Sequence, residues 1–344
     1  MNIGDFDINK QVFIIAELSA NHGNDINIAK NTIRLMKESG ADAVKLQTYT
    51  PDTITLNSTK SYFQINQGTL WDGKILYDLY KEAFLPWEWH KELFDYAKSI
   101  GMIIFSTPFD KTAVDLLEDL NVPAYKIASF EITDIPLIEY VASKQKPVII
   151  STGIGSLEEI HEAVEACRKQ GNDNIILLKC TSSYPAKIED ANLNTMVDMK
   201  ERFGVEIGLS DHSIGNFVPI IATSMGAKII EKHFILDKSI GGPDAEFSMN
   251  PKEFKEMVES IRKVESCVGV VDYEIDEKKM NNRKFSRSLF ISKSIGKGEV
   301  ITEEHIRSVR PSDGIKPKHY KEIIGRKAKV NVDFGEPLKW EVIE

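Results

Sequence analysis

Two histidines lie just past runs that read as buried β-strands. His212 follows Val205–Leu209 in Ser210-Asp211-His212-Ser213, and His233 follows Ala227–Ile230 in Glu231-Lys232-His233-Phe234. Imidazole is a common ligand of divalent metals, and a ligating ring needs a neighbour that fixes its orientation. Asp211 and Glu231 stand beside the two histidines and are the acids expected to do this. If both strands end on one face, His212 and His233 can share a metal, which predicts an enzyme. Lys45 and Lys126 sit inside otherwise apolar runs, where an unpaired ammonium is costly and a functional role is expected. Ser151-Thr152-Gly153 ends a strand just before a helix, where hydroxyls and backbone N–H groups bind phosphate well. Gly153-Ile154-Gly155 lacks the third glycine of a dinucleotide fingerprint.

These residues need a scaffold that gathers strand ends. Apolar β-branched runs alternate with segments of helical period, the signature of repeated βα units and a parallel sheet. Strands are expected at 12–16, 43–47, 102–106, 124–128, 147–151, 175–179, 205–209 and 228–233. Helices are expected near 26–39, 89–100, 111–119, 135–143, 156–170, 190–202, 216–226 and 251–267. Ser156 with Glu159 three residues on makes a capping box for the fifth helix, and Gly171 stands where its C-terminal cap belongs. Eight such units over about 250 residues match a closed (β/α)8 barrel, whose chemistry sits at the C-terminal strand ends. The same rim then carries Glu17, Gln47, Thr107, Ser129, Glu131, Lys179, Ser182, Tyr184 and Ser210 as well as the histidines. Singly, each has a plainer reading, a solvated rim residue or a helix cap. His90, His161, His305 and His319 read as surface residues, and His22 as lining the mouth. About 40 residues from Tyr49 to Trp87 break the rhythm, and a loop that long in a compact domain is usually a lid or a binding element.

After Cys267 the pattern changes. Residues 1–268 are expected to form the catalytic barrel, 269–284 a linker, and 285–344 a smaller module of short β-like runs at 288–292, 327–332 and 339–343. The net charge of −9 argues against general nucleic-acid affinity. It is unevenly spread: residues 283–344 carry 14 Lys and Arg against 9 Asp and Glu, which leaves −14 on the remainder. Three widely spaced cysteines, Cys167, Cys180 and Cys267, suit reduced structural thiols. No apolar stretch approaches the roughly 20 residues of a membrane span, and the first residues do not resemble a signal peptide, so a cytoplasmic location is expected.

Seven motifs in order carry a resemblance. Glu17-Leu18-Ser19-Ala20-Asn21-His22, Lys45-Leu46-Gln47-Thr48, Ser106-Thr107-Pro108-Phe109, Tyr125-Lys126-Ile127-Ala128-Ser129, Ser151-Thr152-Gly153, Ser210-Asp211-His212-Ser213 and Glu231-Lys232-His233-Phe234 resemble the motif set of the sialic acid (nonulosonic acid) synthase family. Arg283–Glu344 resembles the antifreeze-like (SAF) domain that ends its members. Leu70-Trp71-Asp72-Gly73-Lys74, Leu76-Tyr77-Asp78-Leu79-Tyr80 and Ser286-Arg287-Ser288-Leu289 are most similar to the bacterial pseudaminic acid branch.

The resemblance implies condensation of phosphoenolpyruvate with 2,4-diacetamido-2,4,6-trideoxy-altrose and water, with carbon–oxygen cleavage, in a domain-swapped homodimer. It implies a manganese or magnesium ion on His212 and His233. Lys45, Thr107, Lys126, Ser129, Ser151, Ser182 and Ser210 would hold phosphoenolpyruvate, and Gln47, Tyr184 and Asp244 the acetamido sugar. Glu17 and Glu131 would be the carboxylates near the reacting carbons. Arg310 corresponds to the arginine that the antifreeze-like domain places in the partner's active site. A lid containing Leu70 and Trp71 suits a 6-deoxy sugar. Three other readings compete: an N-acetylneuraminate or legionaminic acid synthase, a metal-free aldolase with Lys126 or Lys179 as a Schiff base, and a carbohydrate-binding non-enzyme.

Overall fold

Eight parallel strands close into a barrel in strictly sequential order. They are β1 (Phe13–Glu17), β2 (Ala43–Thr48), β3 (Ile103–Pro108), β4 (Tyr125–Ile127), β5 (Val148–Ser151), β6 (Ile175–Cys180), β7 (Glu206–Asp211) and β8 (Ile229–His233). The computed structural model describes residues 1–66 and 72–344. The strands are buried on both faces, which is why they read as apolar runs rather than as alternating patterns. β8 pairs with β1 in register, His233 beside Glu17, and Glu17 in turn lies beside Lys45 of β2.

Eight helices follow the strands: α1 (Ile26–Glu38), α2 (Trp87–Ser99), α3 (Lys111–Asp119), α4 (Ile135–Ala142), α5 (Leu157–Lys169), α6 (Asn194–Phe203), α7 (Phe217–Ser224) and α8 (Pro251–Val268). The α5 capping box is present, with Ser156 and Glu159 satisfying each other's backbone N–H groups. α8 starts the same way from Asn250 and Glu253, with Pro251 at its first position. Each helix buries an apolar stripe on the barrel, as Phe254, Met257, Val258 and Ile261 do in α8.

The long connection after β2 has structure of its own, including helices Pro51–Ile54 and Leu76–Ala83. His22 braces it instead of lining the mouth. The ring is buried, its Nδ1 accepts from Asn24 N–H at 3.1 Å, and Nε2 donates to the Ala83 carbonyl at 3.3 Å. The expected lid residues Leu70 and Trp71 lie outside the described residues.

Two compact units make up the chain, Met1–Gly269 and Val270–Glu344. Part of the stretch read as a linker is helical, Glu277–Arg283. The second unit packs Leu289, Ile291, Ile295, Ile301, Ile306, Ile323, Leu338 and their neighbours into a core of its own. Its antiparallel ladder joins β9 (Ser288–Ile291) to β10 (Ile306–Val309), a strand the sequence pattern does not reveal. The runs at 327–332 and 339–343 form isolated bridges and a 3-10 turn rather than strands.

Candidate active site

Alternation along the strands decides which side chains enter the barrel. Glu17, Lys45, Gln47, Thr107, Lys126, Ser151, Cys180, Ser210, His212, Glu231 and His233 share the inner face at the C-terminal end. The expected site residues of the barrel therefore converge, through direct contacts. Lys45 Nζ lies 2.5 Å from Glu17 Oε2 and 3.6 Å from Glu231 Oε1, and donates to Thr107 Oγ1 at 3.2 Å. Lys126 Nζ lies 3.9 Å from the same Glu231 oxygen and donates to Ser151 Oγ at 2.6 Å. Ser210 Oγ donates to Glu231 Oε1 at 3.1 Å.

Two buried ammoniums are thus bridged by one buried carboxylate, with a second carboxylate at one end. Burial works against ionised Glu231, but Lys126 and Lys45 hold its pKa below the ordinary value. Burial likewise opposes the Lys45 ammonium, yet Glu17 and Glu231 hold it above the usual lysine range. Glu17 is pushed up to about 7 by burial, with Lys45 only partly offsetting this. Glu131 also rises to about 7 through burial, against the pull of Lys126. Its Oε2 has no hydrogen-bond partner among the described residues.

After β5 a close-packed polar cluster forms around Gly153. Ser182 Oγ donates to Ser129 Oγ at 2.9 Å, and Ser129 Oγ accepts from Ile154 N–H at 3.1 Å. A Cβ on Gly153 would meet Ser182 Oγ at 2.2 Å and Ser129 Oγ at 2.7 Å, so only glycine lets both hydroxyls approach the backbone this closely. Hydroxyls, a strand-end glycine and a nearby ammonium make an anion cradle.

The imidazoles of His212 and His233 lie with centroids 5.3 Å apart. Burial lowers the His212 pKa to about 4 and, with His212 adding to it, holds His233 well below the usual imidazole value. Both rings are therefore neutral, the form that ligates metals. His212 Nδ1 donates to the Thr181 carbonyl at 3.1 Å, which leaves Nε2 as the basic nitrogen. His233 Nδ1 is buried without a hydrogen-bond partner among the described residues, and the Asp244 carboxylate lies 3.9 Å from it. No group of three His, Cys, Asp or Glu side chains is arranged as a metal site among the described residues. The pair fits a cation that takes two protein nitrogens and fills its other positions with water or substrate.

Around the pair stand the residues expected to meet a sugar. Gln47 Nε2 donates to Ser19 Oγ at 3.0 Å, and Ser19 Oγ donates to Asp244 Oδ2. Ser19 adopts a positive φ of 46°, a strained conformation that holds it between the two. Tyr184 packs 4.5 Å from the His212 ring and 5.3 Å from Phe247, which is 4.9 Å from His233. Arg310 is exposed in the second unit, just after β10.

Several expectations need correction. Neither Asp211 nor Glu231 bonds to a histidine ring. Asp211 faces outward to Lys232 and Ser213, and Glu231 is held by the two lysines and Ser210. Lys179 also points away, its Nζ donating to the Cys180 carbonyl at 2.7 Å, while the Cys180 thiol sits 3.8 Å from His212 Nδ1. His90 is buried rather than on the surface, 2.9 Å from Thr48 Oγ1, and burial lowers its pKa to about 4. His305 is buried as well, bonded to Thr302. Ser19, expected at the end of the first strand, does meet the site, whereas no pattern in the sequence points to Phe247; strand parity is the signal that would place Glu231 and Cys180 inside.

A closed barrel with this rim, followed by a small β module, defines a class. Residues 32–273 match the NeuB family and residues 286–344 the SAF domain. The chain belongs to the NeuB family. It is 53% identical over 332 residues to the pseudaminic acid synthase of Helicobacter pylori, spanning 96% of this chain and 97% of that one. With the pseudaminic acid synthase of Campylobacter jejuni it shares 49% over 339 residues, 98% of each. Among solved structures it resembles the N-acetylneuraminic acid synthetase of Leptospira borgpetersenii, with a TM-score of 0.73 and 32% identity over 82% of this chain and 94% of that one.

Proposed function

We propose that this chain is a phosphoenolpyruvate-dependent transferase, a pseudaminic acid synthase. It condenses phosphoenolpyruvate with 2,4-diacetamido-2,4,6-trideoxy-altrose and water to give pseudaminic acid and phosphate. The observation that carries this reading is the pair of buried lysines, Lys45 and Lys126, bridged by Glu231 at the strand ends that also carry the two neutral imidazoles.

Phosphoenolpyruvate carries up to three negative charges, and Lys45, Lys126, Thr107, Ser151 and Ser210 supply cations and donors for it, with Ser129 and Ser182 for the phosphate. Glu231 holds both lysines in place before the substrate arrives and, at Lys126, works against the burial that lowers its pKa. His212 and His233 would hold a manganese or magnesium ion, which when bound polarises the sugar aldehyde. Gln47, Asp244 and Tyr184 orient the sugar. Attack by the enol carbon leaves a cationic centre at the phosphate-bearing carbon, to which water adds before phosphate departs with its bridging oxygen. Glu17 and Glu131, both with pKa values near 7, are suited to accept the proton of that water. Arg310 of a second copy would complete the site in a domain-swapped homodimer, and the basic second unit over an acidic barrel supports the docking. No helix among the described residues is long and apolar enough to cross a membrane, which fits work on small phosphorylated and acetamido metabolites in the cytoplasm.

Phosphate release with a panel of amino sugars, read together with product mass, tests the assignment. The diacetamido trideoxy sugar should turn over fastest, and label in the bridging oxygen should leave in phosphate. Faster turnover of N-acetylmannosamine or of the legionaminic precursor would overturn the sugar, and unlabelled phosphate the bond cleaved.

A further inference from the structure

Behind the two imidazoles, on the outer face of the last two strands, lies a buried ion pair that touches none of the reacting groups. Lys232 and Asp211 are register partners on β8 and β7. Lys232 Nζ is 2.5 Å from Asp211 Oδ2, with the side chains 0% and 5% exposed. Two buried charges are expensive, and apolar residues of similar volume would join the strands at least as well. The pair therefore asks for a reason other than stability.

Its remaining bonds supply one. Lys232 Nζ also donates to the Ser213 carbonyl, and the Asp211 carboxylate accepts from Ser213 N–H and Ser213 Oγ, each at 3.0 Å. Together they close a ring of polar contacts around the turn Asp211-His212-Ser213 and fasten that turn to the residue preceding His233. Each member of the pair is thus the chain neighbour of one imidazole. Because adjacent strand residues point to opposite faces, a cross-strand distance fixed outside by Lys232 and Asp211 is passed to the inside, where the rings stand 5.3 Å apart. The His212 carbonyl is also held, accepting from Ala186 N–H at 3.0 Å.

We propose that Asp211 and Lys232 are positioning residues, a strut that sets the spacing of His212 and His233 for a shared cation. This rests on the reading of those histidines as metal ligands.

The test uses the full-length chain as wild type, Asp211→Asn, Lys232→Met and the double variant. Manganese binding is followed by electron paramagnetic resonance, phosphoenolpyruvate binding by calorimetry in EDTA, and thermal unfolding in EDTA. Outer partners of metal ligands are typically worth about 10–100-fold in affinity, and a loss of that size is expected for manganese in each variant, with phosphoenolpyruvate binding retained. A single variant leaves an uncompensated buried charge and can fail to fold, so the double variant decides. It removes both charges, and if the pair were only structural, its recovery of stability would bring back manganese affinity. A folded double variant with wild-type manganese affinity overturns the strut. Manganese binding that is equally strong in wild type and His212→Ala overturns the metal reading itself, and the strut with it.

Discussion

Lys45 Nζ lies 2.5 Å from Glu17 Oε2, on neighbouring strands whose register sets the two residues side by side. Because Glu231 takes the other side of the same ammonium at 3.6 Å, the cation is clamped before any substrate enters. Losing one partner of a buried pair typically costs about 3–5 kcal/mol, because the opposite charge is stranded. Lys45→Met should show a loss of that order in denaturant unfolding and should bind phosphoenolpyruvate far more weakly in calorimetry. Adding Glu17→Gln should return part of the stability while leaving phosphoenolpyruvate binding weak. That split separates the cation's structural role from its substrate role.

Glu131 sets a pH dependence of definite sign. Its carboxyl ionises near 4.5 when unfolded and at about 7 in the folded chain, because burial opposes the charge. Between those values the folded state binds more protons, so its contribution to stability is fully present below the lower pKa and is lost as pH rises through the upper one. Thermal unfolding from pH 4 to 8 should show wild type losing ground to Glu131→Gln across that window. A constant difference between the two would contradict the buried, proton-holding carboxyl. In kcat/KM, the inflection near pH 7 that Glu131 contributes should be absent from Glu131→Gln.

The barrel was largely legible because strands buried on both faces leave continuous apolar runs, and each of the eight lies within a residue or two of its expected bounds. Residue types at strand ends also located the rim. What the pattern hid was direction. Asp211 precedes His212 by one position and so faces the opposite side, where Lys232 meets it. For the same reason Lys179, expected at the rim, turns to the Cys180 carbonyl, while the Cys180 thiol, read as structural, faces His212. His90 looked like a surface residue on a helix, yet Thr48 on the outer face of β2 gave it a buried partner. In the second unit the core is assembled largely through loops and isolated bridges, so β-like composition at 327–332 did not become a strand.

Gly153→Ala probes the proposed phosphate site with one methyl group. The added carbon would sit 2.2 Å from Ser182 Oγ and 2.7 Å from Ser129 Oγ, so Ser129 must leave Ile154 N–H and Ser182 must leave Ser129. KM for phosphoenolpyruvate should rise by about tenfold or more, since one lost charge-assisted contact is worth roughly 1.5–3 kcal/mol. The manganese affinity of the distinct imidazole pair should stay unchanged. An unaltered KM would place the phosphate elsewhere.

Removal of either imidazole tests the metal reading directly. His212→Ala and His233→Ala should each abolish turnover while retaining cooperative unfolding, because the barrel core does not depend on these polar rim residues. EDTA treatment of wild type should reproduce the loss, and added manganese or magnesium should reverse it in wild type alone. Full activity in EDTA would remove the cation from the reaction.

Arg310 can be assigned to one subunit's site or the other's by mixing inactive partners. If it completes the partner's barrel, a hybrid of His212→Ala and Arg310→Ala chains contains one intact site: the wild-type barrel of the Arg310→Ala chain, served by the Arg310 of the other. Random reassortment of the two variants into dimers should then recover about a quarter of wild-type activity, because half the dimers are hybrids with one working site of two. If Arg310 served its own barrel, every site in the hybrid would lack one residue and mixing would recover nothing. The measurement is the rate of phosphate release after co-refolding or subunit exchange of the two purified variants. Each variant alone sets its floor, and the His212→Ala chain mixed with itself controls for refolding.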